Sequence, residues 1–98
     1  AAVEQMLPTA FTLPRRRHPV PLRYEHGRVV LASKLQDFYD ADPATLTIAH
    51  GRIRLTCELL APNGRPAQVT DDLATFWHTS YEAVKKDLKG RYPKHEWR

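Results

Sequence analysis

The chain has 98 residues, 42% of them hydrophobic and 27% charged, a composition typical of one small globular domain and unlike that of disordered segments. Its formal net charge of +4 permits weak attraction to anionic partners but does not require one. The single cysteine, Cys57, excludes an internal disulfide, and no apolar run approaches the roughly 20 residues that span a bilayer. We therefore expect a cytoplasmic protein with no membrane partner.

The N-terminal part begins with a segment that lacks any period long enough for a stable element. Residues 1–10 are predicted to be a linker or N-terminal extension, and residues 11–98 the domain itself. Apolar and polar residues alternate over 11–13 and again over 20–24, which predicts two short strands. Because Pro21 has no amide donor, the second strand is expected at a sheet edge or with an irregular start.

The spacing of apolar residues then changes from the alternation of a strand to the period of a helix. Leu31, Leu35 and Phe38 fall at i, i+4 and i+7, the spacing that gathers side chains on one face of a helix, so a helix is predicted over 29–39. Strict alternation of apolar and polar residues over 52–59 predicts a half-buried strand, the clearest in the chain.

Two helices are predicted in the C-terminal third, after a proline- and glycine-containing loop over 62–66. Thr70, followed by two aspartates, resembles a helix start, because its hydroxyl can accept from a free amide and the carboxylates favour the positive end of the dipole. Thr79 and Glu82 fit a capping box that would begin the second helix, and Pro93 lies just beyond its end.

This order of elements predicts an α+β fold in a small single domain, with a short, mostly antiparallel sheet, one central helix and two C-terminal helices. Four large side chains are expected to be buried where the C-terminal helices meet the sheet: Phe76, Trp77, Tyr81 and Leu88.

Two basic clusters are candidates for contact with phosphates, the first in a predicted loop and the second at the end of the last helix. The candidate nucleic-acid-binding residues are Arg15, Arg16, Arg17, Lys85, Lys89, Lys94 and Trp97. The alternative for the loop is a solvated or domain-docking segment. In the helix, predicted pairs of Glu82 with Lys86 and of Asp87 with Arg91 would cancel part of the charge. Trp97 is more readily explained by packing on its own domain than by stacking on a base.

The residues offer no other chemistry. The sequence has neither a GxxxxGK[ST] phosphate-binding loop nor an acidic DExH-like segment, so no catalytic residue and no cofactor is assigned to it. The five histidines lack the spacing of metal ligands, which argues against a metal site. Cys57 lies on the apolar side of the predicted strand over 52–59 and is expected to be a buried small hydrophobe.

The C-terminal third carries an ordered pattern, RPAQVTDDLATFW over 65–77 and GRYPKHEW over 90–97. In this pattern the chain resembles the C-terminal domain of bacterial HrpB-type DEAH-box ATP-dependent RNA helicases. The resemblance covers most of residues 12–97, with departures at Asp40 and Ala61, where the family tends to glycine and serine. It implies that ATP and magnesium belong to a longer parent helicase, and that the partners are the helicase core of the same parent chain and single-stranded RNA or DNA.

The favoured hypothesis is a non-catalytic accessory domain that docks on a helicase core and adds weak contacts to nucleic-acid phosphates. The rival hypothesis is a purely structural or partner-docking module, in which Trp77, Tyr92 and Trp97 face other protein instead of nucleic acid. A free-standing small enzyme is the weakest hypothesis, because no nucleophile, base and orienting group can be assembled from the sequence.

Overall fold

The computed structural model describes residues 8–49 and 51–98, so most of the predicted linker and His50 lie outside the described residues. The strands and α-helices are β1 (Ala10–Phe11), β2 (Val20–Glu25), β3 (Arg28–Lys34), β4 (Thr47–Ile48), β5 (Ile53–Arg54), β6 (Thr56–Leu60), β7 (Pro66–Thr70), α1 (Leu73–Thr79) and α2 (Tyr81–Arg91). Two short 3₁₀ turns, Leu35–Phe38 and Pro43–Thr45, follow β3.

Within the described residues, five strands form one sheet in the order β1-β2-β3-β6-β7, and β4 and β5 form a separate antiparallel pair. The neighbours in the larger sheet are antiparallel except β3 and β6, whose parallel register pairs Val30 with Thr56. The chain between β3 and β6 runs through both 3₁₀ turns and the small sheet. The predicted α+β class with a mostly antiparallel sheet is confirmed.

The predicted helix over 29–39 is wrong: residues 28–34 are the central strand β3, and only Leu35–Phe38 turn helically. The reason is the hairpin that precedes it, in which His26 and Gly27 both have positive φ, 49° and 76°. Positive φ at both loop positions is the requirement of the type I′ turn that joins antiparallel strands. β3 then pairs on both sides, with β2 and β6.

β2 is confirmed over the predicted alternating segment, and β1 pairs with it at Val20 and Pro21. The predicted strand over 52–59 is divided at Leu55, whose amide donates to the carbonyl of Leu46 at 3.0 Å. β5 therefore leaves the larger sheet and pairs with β4, while β6 stays in it.

β7 was not predicted. It pairs with β6 as an edge strand that starts at Pro66, the position in a sheet that tolerates a missing amide donor.

Both C-terminal helices are confirmed, but their predicted caps are wrong. Asp72, and not Thr70, caps α1 by accepting from the Thr75 amide at 3.1 Å, while the Thr70 hydroxyl accepts from the Asp72 amide at 3.0 Å. Ser80 precedes α2 without a side-chain cap. The Thr79 hydroxyl donates instead to the Thr75 carbonyl at 2.8 Å, because Thr79 still belongs to the last turn of α1.

The core lies on one face of the five-stranded sheet, here called the inner face, to which both helices, the small sheet and the first 3₁₀ turn contribute. Its buried members include Leu13, Leu31, Leu35, Phe38, Leu46, Ile48, Leu55, Cys57, Leu59, Leu73, Phe76, Tyr81 and Leu88. Of the four side chains predicted to be buried, Phe76, Tyr81 and Leu88 are, whereas Trp77 packs on this cluster half-buried.

The opposite, outer face of the sheet carries the alternate residues of the strands. Val30 is buried there, outside the core cluster, and Ala32 and Leu60 are partly exposed. Val69 on the edge strand leaves 45% of its surface in solvent. Within the described residues, the helices pack on the inner face, so the outer face is open.

Candidate nucleic-acid interface

The predicted basic loop lies between β1 and β2, where a turn closes with the Arg16 amide donating to the Leu13 carbonyl at 3.0 Å. Arg15 does not extend from this loop into solvent. Its Nε donates to Asp40 Oδ2 at 2.7 Å, and its Nη1 donates to Glu96 Oε1 at 2.8 Å. Two carboxylates therefore already occupy the guanidinium fork that a phosphate would need.

Arg98 completes this cluster from the other side. It binds Asp40 Oδ1 and Glu96 Oε2, both at 3.0 Å, so two arginines and two carboxylates alternate in what we call the Arg15–Arg98 network. Hydrogen bonds from the two arginines lower the pKa of Asp40 and of Glu96, Arg15 having the larger effect on each. The same hydrogen bonds, first from Glu96 and then from Asp40, raise the pKa of Arg15.

The other two arginines of the loop differ from each other. Arg16 Nη1 lies 3.4 Å from Asp37 Oδ2, an oxygen that also accepts from the Ser33 hydroxyl at 2.5 Å. Arg17 is exposed and forms no ion pair with a carboxylate of the described residues. The loop thus offers one fully available cation where three were predicted.

The second predicted cluster, on α2 and beyond it, is also only partly available. Lys85 lies 3.3 Å from Glu82 and donates to the carbonyl of Arg98 at 3.1 Å. The predicted Glu82–Lys86 pair is therefore replaced by an i, i+3 pair with Lys85. Lys89 and Lys94 are exposed and have no carboxylate partner in the described chain. The predicted pair of Asp87 with Arg91 is present at 3.8 Å.

Trp97 packs on its own domain. Its indole Nε1 donates to the Tyr92 carbonyl at 2.8 Å, and the half-buried ring lies against the core. A ring held this way is a structural anchor of the C-terminal segment, so the observed geometry favours the packing alternative over base stacking.

An aromatic cluster lies between the Arg15–Arg98 network and the core. Tyr39, Trp77 and Tyr81 have ring centroids 5.0 to 6.0 Å apart, and the two tyrosine hydroxyls are 2.7 Å from each other. Burial, then the Tyr39 hydroxyl, raises the pKa of Tyr81. Its hydroxyl also donates to the Arg98 carbonyl at 2.7 Å, which fixes the C-terminal segment to α2.

The sequence interpretation overlooked three arginines that meet in one groove: Arg28 at the start of β3, and Arg52 and Arg54 on either side of Ile53. None of them forms an ion pair with a carboxylate of residues 8–49 and 51–98. The alternation over 52–59 had already placed two of them on the solvent side of a strand. What the sequence alone could not provide is the parallel pairing that brings Arg28 beside them.

The remaining candidates contribute no site. Cys57 is buried, and burial raises the pKa of its thiol to about 12, far from the range of a reactive thiolate. Among the described residues, no three histidine, cysteine or acidic side chains are grouped to hold a metal ion. No helix within the described ranges has both the length and the apolar character to cross a membrane.

Comparison with known proteins identifies the family. A family model described as HrpB_C, ATP-dependent helicase C-terminal, matches residues 1–98. The chain belongs to the HrpB C-terminal family. The chain is 41% identical over 96 residues to the ATP-dependent RNA helicase HrpB of Escherichia coli strain K12, which covers 97% of this chain and 12% of that protein.

The crystal structure of the E. coli DExH-box NTPase HrpB matches with a TM-score of 0.83 at 41% identity, over 93% of this chain and 11% of the solved one. The resemblance inferred from the sequence pattern is thereby confirmed. The chain thus spans about one-eighth of the length of E. coli HrpB.

Proposed function

We propose that this chain is a non-catalytic accessory module of a longer ATP-dependent helicase. In this proposal it docks on the motor core of its own parent chain, in the cytoplasm, and adds weak contacts to the phosphate backbone of single-stranded nucleic acid. ATP and magnesium would be bound by the motor, because this sequence lacks the loop that cradles phosphates and the acidic segment that holds the metal.

The proposed contact with nucleic acid is supported by a division among the basic side chains. Some are paired with carboxylates, and others are available to bind phosphate. Arg15 and Arg98 are committed to carboxylates. Arg17, Lys89 and Lys94 are exposed and have no carboxylate partner in the described ranges. Cations without partners can exchange water and counterions for phosphate oxygens, which gives salt-dependent affinity without sequence preference.

The docking part is supported by the outer face of the sheet. Ala32 and Leu60 are partly exposed there, Val69 more so, and no helix of the described chain covers them. A domain that spans 12% of its curated relative needs a contact surface toward the rest of such a chain. The Arg23–Glu58 ion pair lies on the same face between these apolar positions. A mixed apolar and charged surface of this kind is suited to a contact between domains.

The test is a titration of the 98-residue chain against a labelled oligouridine of about 12 nucleotides, within the site sizes of single-strand binding domains. We expect dissociation constants of roughly 10⁻⁴ to 10⁻⁶ M, with affinity falling between about 50 and 200 mM salt. A triple change of Arg17, Lys89 and Lys94 to Ala should flatten the salt dependence. If the wild-type chain shows no binding even at the lowest salt, the nucleic-acid part is wrong and a purely structural docking module replaces it.

A further inference from the structure

We propose that Arg28, Arg52 and Arg54 form a binding groove for the phosphate backbone of single-stranded RNA. This inference rests on the proposed function, since it names a site for the nucleic-acid contacts. It places that site at the β2–β3 turn and the small sheet, on residues outside both basic clusters predicted from the sequence.

Strand pairing creates the groove. The parallel register aligns Val30 with Thr56, so β3 and β6 begin at the same edge of the sheet, and Arg28 and Arg54, each two residues upstream, line one groove there. The strand is interrupted at Leu55, so β5 leaves the larger sheet. This opens a space between β5 and the end of β7. That space encloses about 640 Å³, within the size range of small-ligand sites.

The lining of the groove suits an anion. Three guanidinium groups border it against one carboxylate, Asp71, so the local balance is positive. Thr56 also lines this space. Arginine presents a planar fork of donors that matches two phosphate oxygens at once, an advantage over lysine when the fork is not already occupied. Here, unlike at Arg15, no carboxylate of the described residues occupies it.

The shape of the groove suits a nucleic-acid strand better than a single phosphate ion. A second groove of about 540 Å³ shares Arg52, Arg54 and Asp71 with the first and is also lined by Pro43, Gly51 and Asp72. The two grooves together hold three arginines against two carboxylates. Arg52 and Arg54 thus border both of these neighbouring grooves, whereas Arg28 borders only the first. A linear polymer with a charge at each unit would meet these side chains in succession, as a single-stranded backbone does in an electrostatic groove.

The experiment compares the wild-type chain with a triple change of Arg28, Arg52 and Arg54 to Ala, by fluorescence anisotropy with the same labelled oligouridine. A matched control removes the same charge at the far side of the domain, with Arg65, Lys86 and Arg91 changed to Ala. Because each contact to a single strand contributes about 0.7 to the salt slope, loss of three should reduce it by about 2. We expect affinity at low salt to fall at least about tenfold in the groove variant and less than about threefold in the control.

A second variant has all three groove arginines changed to Lys, which keeps the charge. It distinguishes loss of the phosphate contacts from misfolding of the alanine variant. It should retain most of the salt slope while binding more weakly than wild type, since an ammonium cannot form the bidentate contact. Equal binding by the wild type, the alanine variant and the control would overturn the groove while leaving the proposed function intact. Absence of binding by the wild type would overturn both. Competition by polyglutamate as effective as that by unlabelled oligouridine would assign the groove to an acidic protein segment and would also overturn the proposal.

Discussion

At the scale of single residues, the arginines show how far a sequence pattern determines a role. Arg15, Arg16 and Arg17 are indistinguishable as a charge run, yet the first binds two carboxylates, the second binds one, and the third has no partner in the described chain. The partners of Arg15 lie 25 and 81 residues away along the chain. Local spacing cannot identify such pairs, so the number of available cations was overestimated.

The Arg15–Arg98 network makes the stability of the folded chain depend on pH in the acid range. The pKa values of Asp40 and Glu96 are lowered in the folded chain, first by hydrogen bonds from Arg15. Their contribution is therefore complete above the unfolded values, 3.8 and 4.5, and is lost as pH falls through the lower folded values. We expect the double change of Asp40 to Asn and Glu96 to Gln to lower the melting temperature at pH 7 and to flatten its decline below about pH 4.5.

The control for this prediction is the double change of Glu82 to Gln and Asp87 to Asn, whose ion pairs lie on the open surface of α2. It should leave the acid profile nearly parallel to that of the wild type, as expected for exposed helix pairs. Melting curves by circular dichroism across the acid range supply the comparison. If the network variant follows the wild-type profile as closely as the control does, the network does not stabilise the fold.

Phe76 and Trp77 are neighbours in sequence with different burial, so their truncations should differ. Phe76 is 3% exposed, and Phe76→Ala should lower the free energy of unfolding by about 3 to 5 kcal/mol. Trp77 is half-buried and keeps contacts with Tyr39 and Tyr81, so Trp77→Ala should cost less, about 1 to 3 kcal/mol. Urea titrations of both variants measure the two values. A larger loss at Trp77 would contradict the burial described here.

At the scale of elements, the hydrophobic pattern identified core residues better than it identified their secondary structure. Leu31, Leu35 and Phe38 are all fully buried, as their spacing predicted. They reach the core from a strand and a 3₁₀ turn because the His26–Gly27 turn starts an antiparallel hairpin. The alternation over 52–59 did predict a strand, but the switch of sheets at Leu55 depends on long-range pairing that no local pattern contains.

Substitutions at two glycines test the role of the His26–Gly27 turn, which starts a hairpin where the spacing of apolar residues had predicted a helix. A Cβ at Gly27 would meet nothing within 4 Å, but φ is +76° there, so Gly27→Ala should destabilise by about 1 to 2 kcal/mol through backbone strain alone. Gly90 is equally uncrowded and lies within α2. Gly90→Ala should therefore stabilise by about 0.5 to 1 kcal/mol. Paired urea titrations check the signs, and two changes of the same sign would refute the explanation.

At the scale of the whole molecule, family and fold class were predictable, because an ordered run of residues over 65–77 and 90–97 is specific. The candidate site was predictable only in part, since a binding surface consists of what remains available after folding. Arg28 and Arg54 come from strands in different sheets, and they line one groove because β3 and β6 begin at the same edge and the chain leaves the larger sheet at Leu55. The spacing of residues along the sequence does not predict the pairing of β3 with β6.

The absence of the phosphate-binding loop leads to a prediction for the entire chain. The isolated 98 residues should hydrolyse ATP no faster than a buffer blank, with or without RNA, and ATP should not raise their melting temperature. A coupled turnover assay and a thermal shift series provide the measurement. Turnover that persists at constant specific activity through repurification would contradict the assignment of this chain as a non-catalytic module.

The single parallel pairing in the sheet also governs the order in which the chain can fold. The β2–β3 and β6–β7 hairpins close short loops, whereas joining Val30 to Thr56 must close the whole segment between them. Loop-closure entropy makes that non-local step the slow one. Substitutions along the β3–β6 ladder should therefore reduce the refolding rate, while changes in the Arg15–Arg98 network should mainly accelerate unfolding.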